Sequence, residues 1–508
     1  MYGVKDCLGC ENMITYLIFI VLFLLIYFLM NRVKSVETTA IPHPPLHPLF
    51  GNIQTLKRLD PIQFYALDTL TSKLGTFFKL KLGIKWVYVA TGYNEIKEIN
   101  EKVSRRAPFE TMWLLYFGTM KRPFGLTFDS GEEWREIKRF TLRTLRDLGF
   151  GKSSTENVIL DEYTAMKEKM KSMIRDSKDG SVDVDTLFNQ AALNVIWNFI
   201  TGKRYEYEDK QMQKLVNLLG AFTGLAKDIF GKPLGLFPFL RFIPPLRSKF
   251  NKAASGMAEC RDFVQNTIDE HKKNKFNAEN PTAFIDKFIL ASNENQSLNS
   301  EKLLFVCFDL FVGGSETTSK SMMYALAMLI RNPEIQEKVA SEISRVCGDK
   351  DQVTSADRDS LPFTEATMNE VWRFCNILPI APPKSSPCPI KVGQYDIAAN
   401  TSILSSTYSV HMDQSYWGDP DTFRPERFIT PEGKYRADDR NIPFGIGKRR
   451  CLGENLARIE NFLFLANIIK DFKFESLDGN LPEVRPKPGI TYGPQPFSMK
   501  VSERHNFS

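Results

Sequence analysis

The sequence lacks a concentration of charge of either sign, and it lacks internal repeats and low-complexity tracts. Its 508 residues include 66 basic and 60 acidic side chains, so the net charge is only +6. A nucleic-acid-binding protein is expected to concentrate basic residues on one face, so the composition gives no support to a nucleic-acid partner. Hydrophobic residues make up 43% of the chain and charged residues 25%, which is the balance of an ordinary globular protein.

Closely spaced cysteines are also scarce. Of the eight cysteines, only Cys7 and Cys10 form a short-range pair, and a single CxxC motif in a short tail is weak evidence for a metal or redox site. The other cysteines are scattered, as expected of reduced thiols in a domain that faces the cytosol.

An uncharged apolar run, residues 13–30, stands near the N-terminus. As a helix it would span about 27 Å, close to the thickness of an endoplasmic reticulum bilayer. No small-residue cleavage site follows, which favours a signal anchor over a removed signal peptide. The basic residues after the run favour a cytosolic body. We therefore expect residues 1–34 to be a single-pass anchor in the endoplasmic reticulum membrane and residues 35–52, rich in proline, to be a stiff hinge.

Helical patterns dominate the rest of the chain. Strands are predicted at Thr76–Leu82 and Lys85–Ala90, with short β-segments near Pro389–Ile397 and Ile490–Val501. The predicted helices are Gly131–Leu148, Thr155–Ser177, Val184–Thr201, Asp209–Leu225, Ala253–Asn274, Glu301–Arg331, Pro333–Val346, Thr364–Asn376 and Cys451–Asp471. The expected fold class is mainly α, with small β-sheets, in one large domain.

The most informative stretch is PFGIGKRRCLGENLARIE, in which Cys451 lies between glycines just ahead of an amphipathic helix. Gly447 and Gly453 allow the backbone to turn tightly and to approach a flat cofactor. The helix N-terminus directs its positive dipole end at the sulfur and favours the thiolate. A buried structural cysteine is the commoner explanation for a helix start of this kind, but it does not account for Phe444, Gly447, Arg449, Cys451 and Gly453 at fixed spacing.

This pattern resembles the haem-ligand loop of the cytochrome P450 family, and the resemblance extends over essentially the whole chain after the apolar run. It implies that Cys451 is the axial thiolate ligand of a haem b iron. It also implies that Phe444 packs beside the sulfur, that Arg449 pairs with a haem propionate, and that Gly445 and Gly453 lie against the cofactor. Residues 53–508 would then form a single cytochrome P450-type catalytic domain.

A second constellation lies within the predicted helix Glu301–Arg331, at Gly313-Gly314-Ser315-Glu316-Thr317-Thr318. Each glycine costs a helix about 1 kcal/mol relative to alanine, which suggests that the pair makes room beside a ligand. Polar residues on a solvated face are the plainer explanation of the motif alone. The resemblance implies instead an oxygen-activation segment, in which the Glu316 carboxylate and the Thr317 hydroxyl relay protons to reduced oxygen.

Glu370 and Arg373 lie three residues apart and therefore share a helix face. As a surface pair they would contribute only about a few tenths of a kcal/mol. In the family such an ExxR pair is buried and is joined by an arginine from a turn, which Arg427 of FRPERF supplies here. The resemblance implies that Glu370, Arg373 and Arg427 form a structural triad behind the haem loop.

The stretch from Gly131 to Phe140 resembles the family's propionate-contacting helix. By this resemblance Trp134 and the residue four positions later bind the same propionate. The family usually has arginine there, whereas this chain has Lys138, which lacks a bidentate fork. Arg106 matches another propionate-contacting arginine. Lys384 stands where the animal branch commonly has histidine, and we do not assign it to the cofactor.

The family's substrate-facing segments are rich in Phe, Leu, Ile and Met here, which indicates a lipophilic substrate, although ordinary core packing explains any one of them equally well. They correspond to Phe109–Phe128, Leu218–Phe242, Phe308–Val312, Ile377–Pro382 and Ile490–Gly493. Leu234–Leu246 is too apolar for an exposed loop, and its insertion into the bilayer is an open alternative.

No flavin or nicotinamide segment is visible, so electrons must come from outside the chain. Several basic residues fall in the two segments expected to surround the thiolate, and a basic face suits an acidic flavoprotein; a solvated charge run is the alternative. These residues are Lys138, Arg139, Arg143, Lys448 and Arg450. The sequence looks most like the animal microsomal, family 2-like branch, which implies NADPH-cytochrome P450 reductase as partner and cytochrome b5 as a further candidate.

The resulting hypothesis is a haem-thiolate monooxygenase that uses O2 and reductase electrons to hydroxylate or epoxidise lipophilic small molecules such as xenobiotics, fatty acids or steroids. A haem-thiolate isomerase of hydroperoxides, which needs no reductase, is an alternative, but such enzymes often lack the acid–alcohol pair found here. A non-catalytic haem- or lipid-binding protein is a second alternative, and the presence of every motif argues against it.

Overall fold

The computed structural model describes residues 41–504, except for residues 49, 84, 109, 119–123, 151–152, 178–180, 183, 227–237, 245, 274–278, 280, 296 and 349, and it describes Val21 before them. The predicted anchor, apart from Val21, and the first part of the predicted hinge therefore lie outside the described residues. Among the residues that are described, no helix is long and apolar enough to cross a membrane.

Helices form most of the described chain. In chain order they are α1 (Ile53–Leu59), α2 (Gln63–Leu74), α3 (Tyr93–Lys102), α4 (Glu110–Phe117), α5 (Glu132–Asp147), α6 (Ser153–Asp176), α7 (Asp185–Thr201), α8 (Lys210–Ala226), α9 (Leu246–Lys273), α10 (Phe284–Glu294), α11 (Ser300–Arg331), α12 (Pro333–Cys347), α13 (Pro362–Cys375), α14 (Thr407–His411), α15 (Gln414–Trp417) and α16 (Glu454–Asp471). Short 3-10 helices lie at Pro238–Phe242, Ser355–Ser360, Pro425–Phe428 and Gly447–Arg449.

Small sheets accompany the helices. The strands are β1 (Phe77–Leu82), β2 (Lys85–Ala90), β3 (Ser181–Val182), β4 (Ile380–Ser385), β5 (Ile390–Val392), β6 (Tyr395–Ile397), β7 (Ser402–Ser406), β8 (Phe472–Ser476) and β9 (Met499–Glu503). One sheet has the order β1-β2-β7-β4, in which only the β2–β7 pair is parallel. The strands β3-β9-β8 form a second, antiparallel sheet, and β5-β6 is a hairpin.

The long helix α11 runs through the main hydrophobic core and packs most extensively against α7. Its first turn is capped, because the side chain of Asn299 accepts a hydrogen bond from the amide of Lys302 at 2.9 Å. Close approach of the two helices depends on Gly314, since a Cβ there would lie 2.9 Å from the side chain of Ile196 on α7. The core therefore holds α11 in a fixed position along its length.

The mainly α fold with small sheets is confirmed, and the predicted long helices begin and end close to their expected limits. The exception is α9, which begins at Leu246 rather than at Ala253 because its first two turns are largely exposed and show little apolar periodicity. The strand β4 was not predicted because it contains Pro382 and Pro383. It lies at a sheet edge, and its register shifts at these prolines, where missing backbone donors are tolerated.

Candidate functional site

The cysteine loop is a tight turn that leads into α16. The amide of Cys451 donates to the carbonyl of Phe444 at 2.9 Å, and the amide of Gly445 donates to that of Ile442 at 3.0 Å. Gly447 has φ +72°, and a Cβ at this position would lie 2.6 Å from the carbonyl oxygen of Asn100. Only glycine satisfies both the left-handed backbone and this close approach, so the conformation of the loop requires glycine at residue 447.

The side chain of Cys451 is exposed, whereas most other described cysteines are buried. Burial nevertheless raises the pKa of its thiol, and the Gly453 backbone amide and the Arg450 charge act in the opposite direction. Cys451 is thus accessible although protein atoms surround its sulfur. Coordination to a metal deprotonates a thiol outright, so this sulfur is placed to act as a thiolate ligand once a metal is bound.

A second accessible strip lies midway along α11. Gly313 is exposed, a Cβ built there would meet nothing within 4 Å, and the Thr317 hydroxyl donates to the Gly313 carbonyl at 2.7 Å. The neighbouring Gly314 packs against α7 instead. Gly314 therefore serves helix packing, and the expectation that a glycine makes room beside a ligand stays a prediction for Gly313 alone.

The carboxylate of Glu316 is held by groups outside the expected pair. One oxygen lies 2.6 Å from the ammonium of Lys320, and the other accepts from the hydroxyl of Thr491 at 2.9 Å. Lys320 also donates to the Thr491 carbonyl at 2.7 Å. Glu316 and Lys320 line a cavity of about 360 Å³ between α7, α8, α11 and residues 487–498. The acid is thus tied to the C-terminal segment while the hydroxyl of Thr317 bonds to its own helix.

Arg449 occupies a site built from backbone carbonyls and an aromatic ring. Its guanidinium donates to the carbonyl of Ser104 at 2.6 Å and to that of Leu126 at 3.2 Å. It also lies 3.5 Å from the centroid of the Trp134 ring, within the range of a cation–π contact. The indole N–H of Trp134 donates to the same Leu126 carbonyl at 3.0 Å, so α5 and the cysteine loop meet at one point.

Three further cations surround Arg449. Arg106 donates to the carbonyl of Thr127 at 3.1 Å, and its backbone pairs with that of Lys384 as an isolated bridge. The ammonium of Lys384 bonds to the side chain of Asn100. Lys138 donates to a carbonyl of the cysteine loop at 2.6 Å and lies over the Trp134 ring. The structure thus places Lys384, which the sequence argument left unassigned, in the same cluster.

The pKa values of this basic cluster (Arg106, Lys138, Lys384 and Arg449) are all depressed. Burial is the main cause, and it lowers the pKa of Arg106 to about 10, that of Arg449 to about 9 and that of Lys384 to about 7. Burial and the charge of Arg449 also lower the pKa of Lys138. Within the described residues no carboxylate forms an ion pair with any of them, and buried charge without a counterion is costly. The cluster therefore fits a bound dianion such as the propionates of haem.

The ExxR helix face is fully buried. The carboxylate of Glu370 pairs with Arg373 at 2.7 and 2.8 Å and with Arg427 at 3.0 Å, and it also accepts from the amide of Arg424 at 2.9 Å. Glu370 and Arg373 are inaccessible to solvent, and the side chain of Arg427 is only 4% exposed. The three residues are brought together as the sequence argument expected.

His411 connects this network to the cysteine loop. Arg373 donates to the His411 carbonyl at 2.8 Å, and the amide of Ile442 donates to His411 Nε2 at 2.8 Å. Because Nε2 accepts, the ring proton must lie on Nδ1, which faces the Asn376 side-chain oxygen at 2.9 Å. Burial and the charge of Arg373 lower the pKa of His411 to about 3. A neutral histidine thus ties α13 to the loop that precedes Cys451.

Phe444 packs between neighbours that belong to the same region. Its ring lies 5.2 Å from that of Trp372 in an edge-on arrangement, and the Arg458 guanidinium lies 4.8 Å from its centroid. Gly445 and Gly453 both face open space, since a Cβ at either position would meet nothing within 4 Å. These positions leave room for a flat group beside the sulfur.

The mainly helical fold with small sheets agrees with the sequence comparisons. The sequence model of the cytochrome P450 family matches residues 41–501, and the chain belongs to this family. Its members are haem-thiolate monooxygenases, so membership implies a haem cofactor.

Individual relatives cover most of this chain. A protein described as probable cytochrome P450 305a1 of Drosophila melanogaster is 32% identical over 490 residues, which is 91% of this chain and 94% of that protein. Cytochrome P450 2C28 of Mesocricetus auratus is 31% identical, covering 89% and 91% of the two chains. Cytochrome P450 2J2 of Homo sapiens is 33% identical, covering 84% of each. The relatives thus include animal family 2 enzymes, as the sequence argument expected.

Proposed function

We propose that this chain is a haem-thiolate monooxygenase that hydroxylates or epoxidises lipophilic small molecules, with xenobiotics, fatty acids or steroids as the substrate class. The observation that carries the proposal is the juxtaposition of an accessible Cys451 with the basic cluster. A thiol that can serve as a metal ligand, and a cluster of cations that forms no ion pair with a carboxylate among the described residues, together favour a haem with its two propionates.

When bound, the haem would supply the activation of molecular oxygen, and the protein would hold and serve it. Cys451 would be the axial ligand, and Phe444, Gly445 and Gly453 would line the cofactor beside the sulfur. Trp134 and the basic cluster would bind the propionates. Lys384 joins this set because it lies buried next to Arg106 and Arg449, whose charges help to lower its pKa.

The proton path would use Glu316 and Thr317. The cavity of about 360 Å³ beside Glu316 gives space for water next to the carboxylate. Because adjacent residues point about 100° apart around α11, water would carry the proton between that carboxylate and the Thr317 hydroxyl. The ion pair with Lys320 holds the carboxylate in place.

Electrons would come from NADPH through a separate flavoprotein, NADPH-cytochrome P450 reductase, with cytochrome b5 as a further donor. Arg139 and Arg143 on α5 and Lys448 and Arg450 on the cysteine loop are exposed. Lys138 of α5 donates to the Lys448 carbonyl, so the two segments lie side by side and these residues would form one basic surface near Cys451. Such a surface favours rapid docking of an acidic partner.

The membrane is the proposed location of the enzyme. We propose residues 1–34 as a single-pass anchor in the endoplasmic reticulum membrane, residues 35–52 as a hinge and residues 53–508 as a cytosolic catalytic domain. Part of the apolar segment 234–246 lies outside the described residues, but Phe239, Phe242 and Ile243 within it are 49%, 64% and 48% exposed. Large exposed apolar side chains of this kind suit contact with the bilayer.

The test is turnover by the purified full-length protein with reductase, NADPH and O2. Candidate substrates are first selected from a lipophilic library by the shift they cause in haem absorption. We expect oxidised products only when reductase and NADPH are both present. Conversion of lipid hydroperoxides without NADPH would indicate the isomerase instead, and haem-containing protein that oxidises no member of the library would indicate a binding protein.

A further inference from the structure

Asp309 on α11 is a buried carboxylate that no catalytic role explains. Its side chain accepts from the Tyr116 hydroxyl at 2.8 Å, from the Leu126 amide at 2.5 Å and from the Thr127 amide at 3.2 Å. The residue is 6% exposed. Gly125 has φ +80°, and a Cβ there would collide with the carboxylate. The loop at 125–127 is therefore shaped to close over this one side chain.

The same short loop presents its carbonyls to the propionate-binding residues. The Leu126 carbonyl accepts from the Trp134 indole at 3.0 Å and from the Arg449 guanidinium at 3.2 Å. The Thr127 carbonyl accepts from Arg106 at 3.1 Å. The loop at 125–127 thus donates its amides to Asp309 and offers its carbonyls to Arg449, Arg106 and Trp134. A shift of this loop would move three proposed haem contacts together.

We propose that Asp309 is a positioning residue for haem binding: it holds the loop at 125–127 so that Arg449, Arg106 and Trp134 stay aimed at the propionates. This inference rests on the proposed function, because it assumes that the basic cluster binds haem. Asp309 would act through the loop and would not touch the cofactor itself.

Positioning and simple electrostatics predict opposite results for this residue. The charge of Asp309 raises the pKa of Arg449, and removal of a negative charge from the neighbourhood would by itself strengthen the attraction of the cluster for anionic propionates. Burial raises the pKa of Asp309 to about 6, while the Leu126 amide and the Tyr116 hydroxyl lower it. At neutral pH the carboxylate is therefore mostly charged. Its neutralisation should speed haem loss if Asp309 acts by positioning the loop, and should slow haem loss if its charge dominates.

The experiment compares the full-length wild-type holoprotein with Asp309→Asn by the rate of haem transfer to excess apomyoglobin. The measurement is repeated after reconstitution with haem dimethyl ester, whose carboxyl groups carry no charge. We expect Asp309→Asn to lose haem about tenfold faster or more, as the loss of a charged hydrogen bond to a buried amide implies. The ester should leave the wild type and the variant at similar rates, because it makes no charged contacts with the cluster.

If the variant loses haem and the ester faster than the wild type by the same factor, the defect is a general structural one and the proposal is overturned. Slower haem loss would show that charge outweighs position and would overturn it as well. If Asp309→Asn does not fold, Gly125→Ala disturbs the same contact from the loop side and keeps the carboxylate. Faster loss of haem than of the ester from that variant would support the proposal, and equally faster loss of both would overturn it. A wild-type protein that binds no haem would defeat the proposed function itself, which is a separate outcome.

Discussion

Substitution of Glu370 by alanine tests whether the buried triad supports haem incorporation. The carboxylate accepts hydrogen bonds from Nε and one terminal nitrogen of Arg373, from Arg427 and from the Arg424 amide. Alanine would leave Arg373 buried without its acidic partner. Arg427, which is also buried, would keep only its contact with the more exposed Asp419. Arg373 would also lose the constraint that aims it at the His411 carbonyl.

The magnitude follows from the burial of the pair. Removal of one partner from a buried ion pair costs about 3–5 kcal/mol, and total stability is only about 5–15 kcal/mol for a typical domain. A matched control is Asp419→Ala, because Asp419 also contacts Arg427, at 3.2 Å, but is 41% exposed. An exposed pair of this kind contributes about 0–1 kcal/mol, so the two variants break bonds to the same arginine at different cost.

The assay is the haem content of purified protein, measured by thiolate-ligated ferrous–CO absorption per polypeptide, together with the thermal midpoint of unfolding. We expect Glu370→Ala to retain less than about a tenth of the wild-type haem, consistent with the cost of an unpaired buried charge, and Asp419→Ala to remain close to wild type. Equal haem content in the two variants would refute the reasoning, because it would show that the triad does not control the loop behind Cys451.

Three further predictions concern single side chains. Thr317→Ala should keep haem and substrate binding but lose several times more NADPH electrons to peroxide and water, and full coupling would argue against the relay. Burial lowers the pKa of Lys384 to about 7, and bound propionates should raise that pKa. Above pH 7, haem binding should therefore be accompanied by protonation of Lys384. The haem affinity of the apoprotein should therefore fall between pH 7 and 8.5, and Lys384→Met should show a flatter dependence; an unchanged slope would contradict this. Burial and the charge of Glu162 raise the pKa of Glu460 well above its usual value, and one of its oxygens has no hydrogen-bond partner among the described residues. Since the folded state binds this proton more tightly than the unfolded state, stability should decline as pH rises above about 4.5. The thermal midpoint of Glu460→Gln should then fall less between pH 5 and 8 than that of the wild type, and identical slopes would exclude the assignment.

Much of the site could be predicted because its residues lie at short, fixed separations in the sequence. The cysteine loop needs glycine at residue 447 for a conformational reason that any homologous turn would share. The pair Glu370 and Arg373 lies on one helix face whatever surrounds it. Amphipathic periodicity likewise placed most of the long helices, since a helix that packs on a core must show it.

The remaining features depend on contacts between distant segments. Asp309 meets Tyr116 and the 125–127 loop across more than 180 residues of chain, and nothing in its immediate sequence signals a buried carboxylate. Lys384 bonds to Asn100 on α3 and its backbone pairs with Arg106. Both partners are distant in sequence, so comparison with the usual histidine alone gave no basis for assigning Lys384 to the cluster. The role of His411 likewise depends on a distant segment, because its ring nitrogen accepts from the amide of Ile442.

The two glycines on α11, Gly313 and Gly314, show most clearly what the sequence alone cannot predict. They are adjacent and identical in type, yet Gly313 borders open space and Gly314 packs against Ile196. Their roles differ because neighbouring residues point about 100° apart around a helix. Which of the two faces a ligand is decided by the position of α7 and cannot be read from the helix itself.

The most direct test of the account is the ligand of the haem iron in the purified protein. The ferrous–CO spectrum of the wild type should show the absorption characteristic of thiolate ligation, and Cys451→Ala should lose it while variants of the buried Cys307 and Cys375 retain it. Wild-type protein without haem, or haem ligated through nitrogen or a neutral sulfur, would contradict the assignment of Cys451 and the function built on it.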